Sequence, residues 1–235
     1  MEQPVGIYQP DSIAAYELKG KVHLVTANEG DARDYDGFSE EKRVKNLDLD
    51  PVAFPAGTKA DAALGRLTVT TTLGDTDGDG LYEQLYAFGA RSMSVLDAAA
   101  NIIHDTGDEL EQFTAADNPF TFNANHTPED DGTFPFDNRS DNKGPEPEGI
   151  DTGEIDGRPY AFLSNERQGG VFAFDMAAEP GEARIAGYVN TRPEDLGPEG
   201  LLFISAKDSP TRLPLLLSAN EVSGTLSVIE VRPGR

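Results

Sequence analysis

A repeated pattern of twenty residues governs the fold that this sequence can adopt. Residues 10–29 align with residues 147–166 at a constant offset of 137 and without a gap, and both segments begin with Pro and end with Asn-Glu. A third copy, residues 198–221, is four residues longer in its middle. Each copy is followed by a strand-like segment that ends in an apolar–acidic step, as in GGVFAFD and GTLSVIE. Recurring units of about four short antiparallel strands are typical of β-propeller blades.

The rest of the chain also favours β-structure. It contains 24 Gly and 16 Pro, and apolar stretches such as KVHLVTAN and LPLLLSAN have the composition of short strands. We therefore predict an all-β fold, a single domain over residues 1–235 made of about four antiparallel blades of a larger β-propeller. Residues 30–64 are charged and have room for one short helix, and residues 105–147 are rich in Asp, Asn and Pro. Both segments are predicted to be long loop insertions, either functional or merely variable surface loops.

Each repeat is predicted to form a hairpin whose register follows from its turn. The second copy turns at Asp156-Gly157, a strong two-residue hairpin signal, so paired positions sum to 313. The first copy turns at Lys19-Gly20 and its pairs sum to 39, while the longer third copy centres on Ser209-Pro210 and its pairs sum to 419. An acid should then face an asparagine in every hairpin, as the pairs Asp11/Asn28, Glu148/Asn165 and Glu199/Asn220.

These pairs would lie on one rim of a propeller channel, because the start of strand one and the end of strand two share a rim. Carboxylate and amide oxygens suit Ca²⁺ or Mg²⁺. The alternative is that the Pro-Glu-Gly and Asn-Glu steps only make turns. The channel-rim candidates, with the acid that follows each asparagine, are Asp11, Asn28, Glu29, Glu148, Asn165, Glu166, Glu199, Asn220 and Glu221.

Residues 82–107 resemble a fourth, degenerate unit in which Arg91 stands where the second copy has Glu166. An arginine on an acidic rim predicts phosphate or carboxylate binding, and the alternative is a surface ion pair. Arg139 and Arg167 are the other phosphate-binding candidates. Convergence of the three arginines on the acidic rim would favour phosphate binding, whereas outward positions would favour a domain without catalysis.

The segment LGDTDGDGLYEQLYAF, residues 73–88, resembles a calcium loop. Asp75, Asp77 and Asp79 alternate before a glycine that permits a sharp bend, but the twelfth position of an EF-hand loop is Tyr86. The carbonyl of Leu81 and the carboxylate of Glu83, at the ninth position, are predicted to complete the shell. The loop would join two strands rather than two helices, and the alternative is a solvated acidic turn.

Composition and missing motifs exclude several classes of function. The formal net charge of −23 disfavours nucleic acid and anionic membranes as partners, and it suits cation binding or a surface adapted to high salt. Cysteine is absent, and no apolar run approaches the ~20 residues of a membrane span. The polar start predicts no signal peptide in this chain. There is no nucleophile elbow, phosphate-binding glycine loop or dinucleotide fingerprint, and His23, His104 and His126 lack metal-ligand spacing.

Several of these segments together resemble the choice-of-anchor I family. They are DSIAAYELKGKVHLVTANEGDARDYDGFSEEKRVKNLDLDP, LGRLTVTTTLGDTDGDG, FDNRSDNKGPEPEGI and the last repeat with the strand that follows it. The resemblance implies a secreted bacterial propeller protein of the alkaline phosphatase-like or mesenchyme-specific cell-surface glycoprotein-like type, with an extracellular, cell-surface or periplasmic location. It covers the C-terminal part of such proteins. The resemblance therefore implies that N-terminal blades, with which this chain would associate, and a signal peptide belong to the rest of the protein.

Two functional hypotheses remain open at this point. In the first, rim carboxylates hold calcium that positions a phosphoester and a water, giving a calcium-dependent phosphatase or phosphodiesterase. In the second, the chain is a non-catalytic secreted or cell-surface binding or adhesion propeller whose calcium only stiffens loops. The sequence names no substrate.

Overall fold

The computed structural model describes residues 3–178 and 182–232, and it confirms a mostly β fold. Its helices are α1 (Glu109–Asp117) and two short 3-10 helices, Val44–Asn46 and Pro119–Thr121. The strands, in chain order, are β1 (Val5–Ile7), β2 (Ser12–Leu18), β3 (Lys21–Asn28), β4 (Asp34–Tyr35), β5 (Phe38–Ser39), β6 (Glu41–Arg43), β7 (Thr68–Thr70), β8 (Tyr86–Phe88), β9 (Ser92–Asp97), β10 (Ile102–Asp105), β11 (Pro147–Ile155), β12 (Arg158–Asn165), β13 (Val171–Asp175), β14 (Arg184–Val189), β15 (Pro198–Ile204), β16 (Leu215–Asn220) and β17 (Thr225–Glu230).

Each repeat starts one antiparallel sheet. The strand orders are β2-β3-β9-β10 for the first copy, β11-β12-β13-β14 for the second and β15-β16-β17 for the third. The first strands bring these sheets together, because β11 contacts both β2 and β15. A further sheet has the order β1-β8-β7-β6, and β4 pairs with β5. Within the described residues the sheets are small and none closes on itself.

The hairpin registers are confirmed along most of their length. Ile13 pairs with Thr26, Ile150 with Leu163, and Gly200 with Ala219, which match the predicted sums of 39, 313 and 419. The turn chemistry explains the agreement. Asp156 and Gly157 both have positive φ, at 51° and 78°, as a type I′ turn requires, and this twist matches that of the flanking strands.

The predicted pairing of acid with asparagine is wrong at the ends of the second and third hairpins. The register shifts there, so that Pro147 faces Asn165 and Pro198 faces Asn220. Proline has no N–H to continue the ladder, and the extra residue that follows it is accommodated in a bulge. Glu148 and Glu199 therefore do not face their asparagines.

Residues 82–107 do not form a unit of their own, which corrects the predicted fourth repeat. β8 joins the sheet of β1, β7 and β6, whereas β9 and β10 complete the sheet of the first repeat. The chain leaves the first sheet after β3 and returns before β9 at a close crossing of two glycines. A Cβ on Gly30 would lie 1.9 Å from the backbone nitrogen of Gly89, so only glycine fits there.

The predicted insertions contain ordered structure that packs onto the sheets. Residues 30–64 contribute β4–β6 and a 3-10 helix, with Val44 and Phe54 buried in a small core of their own. Residues 105–147 contribute α1, whose Leu110 joins the main core between the first two repeat sheets. That core is completed by Phe172 and Phe174. In the described part of the chain no helix is both long and apolar enough to cross a membrane.

Candidate functional site

Buried carboxylates meet where the first two repeat sheets contact each other. One carboxylate oxygen each of Glu29, Glu146 and Glu166 lie within 4.8 Å of one another, and the same holds for Asp11, Glu29 and Glu148. Glu29, Glu146 and Glu166 are buried, with 6%, 0% and 5% of their surface exposed. We call these five residues the acidic centre.

The repeat itself explains how the acidic centre forms. Glu29 and Glu166 occupy equivalent positions, directly after β3 and β12, the second strands of their hairpins. Glu146 and Glu148 flank the first residue of β11, the strand that contacts β2. Packing of the two sheets through β2 and β11 therefore brings the four glutamates to one place. The sequence identified three of them but missed Glu146, which lies one residue before the second repeat.

Three cations from the 139–167 region pair with these acids. Lys143 Nζ lies 3.2 Å from Glu29 Oε1 and 3.4 Å from Glu146 Oε2. Arg167 Nε lies 3.1 Å from Glu146 Oε2 and 3.0 Å from Glu166 Oε2, and Arg139 also pairs with Glu146. Burial alone would raise the pKa of Glu146, but the three cations hold it below the ordinary value. Glu146 is therefore ionised, and it pairs with all three cations of the acidic centre.

The acidic centre contains more carboxyl groups than the three cations can neutralise, and the pKa values of the remaining glutamates are raised. Burial, reinforced by neighbouring carboxylates, raises the pKa of Glu148 to about 9. For the same reasons the pKa of Glu166 rises to about 8, and burial raises that of Glu29 to about 7 despite the nearby Lys143. The Oε2 atom of Glu148 is buried and has no hydrogen-bond partner in the described part of the chain. The acidic centre can thus accept protons or a divalent cation, and oxygen-only ligands suit Ca²⁺ or Mg²⁺.

His126 borders the acidic centre, a contact that its position in the sequence did not reveal. Its Nε2 atom lies 3.7 Å from Glu166 Oε1 and also contacts the Arg167 guanidinium. Burial, together with Arg167 and Arg192, lowers the pKa of His126 to about 4, so the imidazole is neutral near pH 7. His23, by contrast, is buried and stacks on Tyr16 with ring centroids 5.1 Å apart.

The asparagines predicted at the rim point into their own sheets. The Asn28 amide donates to Ser92 Oγ at 3.0 Å and to Ser94 Oγ at 2.8 Å. Asn220 makes the equivalent bonds to Thr225 at 3.1 Å and Ser227 at 2.8 Å. Both asparagines therefore tie the second strand of a sheet to the third.

Asn165 is the exception among the three asparagines, and the third repeat contributes no acid to the centre. Asn165 is fully buried and neither amide atom has a partner among the residues described, because Gly170 and Phe172 occupy the positions of the two hydroxyl residues. Glu199 and Glu221 are exposed and lie outside the described carboxylate clusters.

The three candidate arginines divide into two groups. Arg139 and Arg167 converge on Glu146 in the acidic centre. Arg91 lies elsewhere and donates from Nη2 to the carbonyl oxygens of Ser140 at 2.8 Å and Asn142 at 2.6 Å. Arg91 thus supports the loop that carries Arg139 and Lys143.

The acidic loop between β7 and β8 brings its four carboxylates together. One oxygen each of Asp75, Asp77, Asp79 and Glu83 lie within 4.8 Å of one another. Backbone N–H groups hold them: Asp75 accepts from Gly78 at 2.7 Å and from Gly80 at 3.0 Å, and Asp79 accepts from Leu81 at 2.8 Å. The Glu83 carboxylate accepts from the Thr76 N–H at 2.7 Å. The arrangement has the donor chemistry of a calcium site.

Comparisons with known proteins agree with the segments singled out in the sequence. The family model of the choice-of-anchor I domain matches residues 2–179. Gigasin-3a from Magallana gigas is 29% identical over 188 residues, which is 73% of this chain and 66% of Gigasin-3a. The chain thus spans slightly less than two thirds of the length of this curated relative. Because the family model covers well over half of the chain, including the acidic loop, the acidic centre and the first two repeats, the protein belongs to the choice-of-anchor I family.

Proposed function

We propose that this chain is a calcium-binding extracellular domain of the β-propeller type. The convergence of four carboxylates in the acidic loop carries the proposal. The contacts of the second repeat sheet with the first and the third, through β11, β2 and β15, support the propeller arrangement. Membership of the choice-of-anchor I family and the high negative charge support an extracellular or cell-surface location.

Calcium explains why the loop tolerates its own charge. Asp75, Asp77, Asp79 and Glu83 place four formal negative charges within a few ångströms of one another, and Asp77 and Asp79 are exposed. These charges repel unless a cation lies among them. Because calcium would bind the folded loop and not the unfolded chain, it should stabilise the fold by mass action.

The test is the thermal midpoint of the protein in excess chelator and in millimolar calcium. Extracellular sites commonly bind calcium at ~10⁻⁴–10⁻³ M, so a rise of several degrees is expected at ~5 mM. Asp77→Ala removes a central ligand and should abolish most of the rise. Asp208→Ala removes an exposed aspartate outside the loop and should keep it. An equal calcium response in the parent and in Asp77→Ala would contradict the proposal.

A second candidate function is metal-dependent phosphoric-ester hydrolysis at the acidic centre. The observation in its favour is that Arg139 and Arg167 converge on these carboxylates. A divalent cation held by Asp11, Glu29 and Glu148 would supply Lewis-acid polarisation and an activated water. In this mechanism Arg167 would bind phosphate oxygens, and the neutral His126 would accept a proton from water.

One assay distinguishes a hydrolase from a non-catalytic calcium-binding domain. Hydrolysis of a generic aryl phosphate and an aryl phosphodiester is measured with calcium and with chelator. Loss of calcium-dependent turnover in Glu148→Gln, with turnover kept in Asp77→Ala, would support a catalytic acidic centre. Calcium-dependent stabilisation without turnover would support the non-catalytic alternative, in which calcium stiffens a binding or adhesion domain.

A further inference from the structure

A polar cavity lies outside both the acidic loop and the acidic centre. It has a volume of 620 Å³ and is bounded by the end of α1, the segment that follows α1 and the end of β14. Small-molecule sites typically measure ~300–1,000 Å³. Its wall includes Arg192, Gln168, Asn190 and Phe134. This volume and lining fit a small polar ligand.

Arg192 gives the cavity a positive charge that no acid within residues 3–178 and 182–232 neutralises. Among the described residues its guanidinium has no ion-pair partner. Its Nη2 atom instead donates to the carbonyl oxygens of Ala124, at 3.3 Å, and Arg167. Its Cζ atom lies 4.4 Å from the centre of the Phe134 ring. Burial lowers the pKa of Arg192 to about 10, so the side chain remains protonated near pH 7.

Polar atoms of Arg192 itself and of the neighbouring Gln168 lack hydrogen-bond partners among the described residues. The Nε and Nη1 atoms of Arg192 are enclosed and make no hydrogen bond to any described residue, and the same holds for Oε1 of Gln168, a residue that is 2% exposed. Unsatisfied buried donors are costly, and a buried cation without a counter-charge is more so. Asp117, the acidic residue among those that line the cavity, is exposed. The two unpartnered donor atoms of the Arg192 cation therefore favour an anion as the ligand, whereas Gln168 Oε1 needs a hydrogen-bond donor such as a hydroxyl group.

We propose that this cavity binds a small anion through a phosphate or carboxylate group, with Arg192 as its counter-charge. The unpartnered N–H groups of Arg192 Nε and Nη1 are charged donors that suit the oxygens of either anion. Phe134 packs against one face of the Arg192 guanidinium. Asn190 holds the Arg192 backbone, since its Oδ1 accepts the Arg192 N–H at 3.1 Å. This inference does not depend on calcium binding or on hydrolysis.

A tryptophan reporter tests the proposal directly. The protein contains no Trp, so Phe134→Trp places a single fluorophore against Arg192. Its emission is titrated with inorganic phosphate and, separately, with acetate, at constant ionic strength in metal-free buffer. Chelators are left out because they are themselves polycarboxylates. A saturable change with either anion is expected, and the tighter of the two identifies the group that the site prefers.

Matched variants assign the signal to the cavity. In the reporter background, Arg192→Gln should weaken binding at least tenfold. Arg184→Gln, which removes an exposed arginine outside the cavity, should leave it unchanged. If Arg192→Gln fails to fold by circular dichroism, Asn118→Asp replaces it. Asn118 lines the cavity and its Oδ1 accepts the Phe120 N–H at 3.2 Å, a cap that Asp preserves while adding a competing negative charge.

The titrations of these variants either support or overturn the anion site. Saturable binding that is lost in Arg192→Gln or weakened in Asn118→Asp, and kept in Arg184→Gln, establishes the anion site. The absence of a saturable change with either anion below ~10 mM, a weak-binding limit, would overturn it. Binding that survives in folded Arg192→Gln would also overturn it. Adding Asp77→Ala to the reporter should not change the affinity, which separates this result from a failure of the calcium proposal.

Discussion

The pKa values of individual carboxylates in the acidic centre are shifted in opposite directions by their surroundings. Glu146 pairs with three cations and stays ionised. Glu148, two residues later, makes no ion pair within the described residues, and burial and neighbouring carboxylates raise its pKa to about 9. The unfolded chain, with a glutamate pKa near the ordinary 4.5, has already released this proton at neutral pH. Folding therefore takes up a proton at Glu148.

This proton uptake fixes how stability depends on pH in the absence of metal. The contribution of Glu148 is fully present below pH 4.5 and is lost as pH rises through about 9. Glu148→Gln mimics the protonated form, so in excess chelator it should flatten the fall of the thermal midpoint between these values. Glu148 is partly exposed, so solvent screening reduces the effect. Near pH 8 we expect Glu148→Gln to raise the free energy of unfolding by about 1 kcal/mol, which corresponds to ~2–4 °C in the thermal midpoint.

The matched control is Glu154→Gln, which changes an exposed glutamate on the same strand. It should leave the pH profile of the thermal midpoint unchanged. A Glu148→Gln profile that follows the parent from pH 5 to pH 9, within the window set by the pKa of about 9, would show that Glu148 is ionised in the folded metal-free protein.

At the scale of the secondary-structure element, the hairpin turn of the second repeat sets the register that positions Glu166. Gly157 has a φ of +78° and a Cβ there would touch nothing within 4 Å, so only backbone strain opposes a larger residue. Gly157→Ala should cost ~1–2 kcal/mol of unfolding free energy in urea denaturation, the price of a left-handed alanine. Gly187→Ala is the control.

Gly187 lies in β14, where a Cβ also touches nothing within 4 Å and φ is outside the left-handed region. Its replacement should be neutral or stabilising by ~0.4–1 kcal/mol, because alanine restricts the unfolded chain. Equal effects of the two variants would contradict the type I′ turn and, with it, the basis of the register.

Over the whole molecule, charge and an exposed apolar face govern behaviour in solution. The net charge of −23 makes the folded chain repel itself. The thermal midpoint in metal-free buffer should therefore rise by several degrees from about 20 mM to about 500 mM NaCl, as the Debye length falls from roughly 20 Å to roughly 4 Å. KCl should give the same curve, because screening depends on ionic strength. A flat or falling midpoint would contradict this expectation.

The last repeat sheet leaves an apolar face without a partner in the described structure. Leu202, Leu226 and Val228 are 55%, 62% and 61% exposed, and Leu202 and Val228 align through Leu217 across the three strands. On the opposite face, Phe203 stacks on Phe162 of the neighbouring sheet, with ring centroids 5.4 Å apart. An exposed apolar sheet face suits packing of another sheet. The association with further blades stays a prediction.

Local chemistry in the sequence determined the strand class, the hairpin turns, most of the register and the carboxylate spacing of the acidic loop. Turn geometry and alternation depend on residues next to one another, so they can be read without knowing the fold. The acidic centre could be predicted from the sequence only in part. Glu29, Glu148 and Glu166 were marked by the repeat, whereas Glu146, Lys143 and His126 lie in or beside a segment without a repeat.

Tertiary structure alone decided which of these groups meet. The contact of β11 with β2 brings Glu146 and Glu148 to Glu29, while the exposed Glu199 and Glu221 of an equally clear repeat remain outside. The same packing leaves Arg192 beside a cavity, without a counter-charge from the residues that the structure describes. These outcomes depend on which sheet faces pack and on two prolines that shift the register. Contacts between residues more than a hundred positions apart follow from that packing, and no local pattern encodes it.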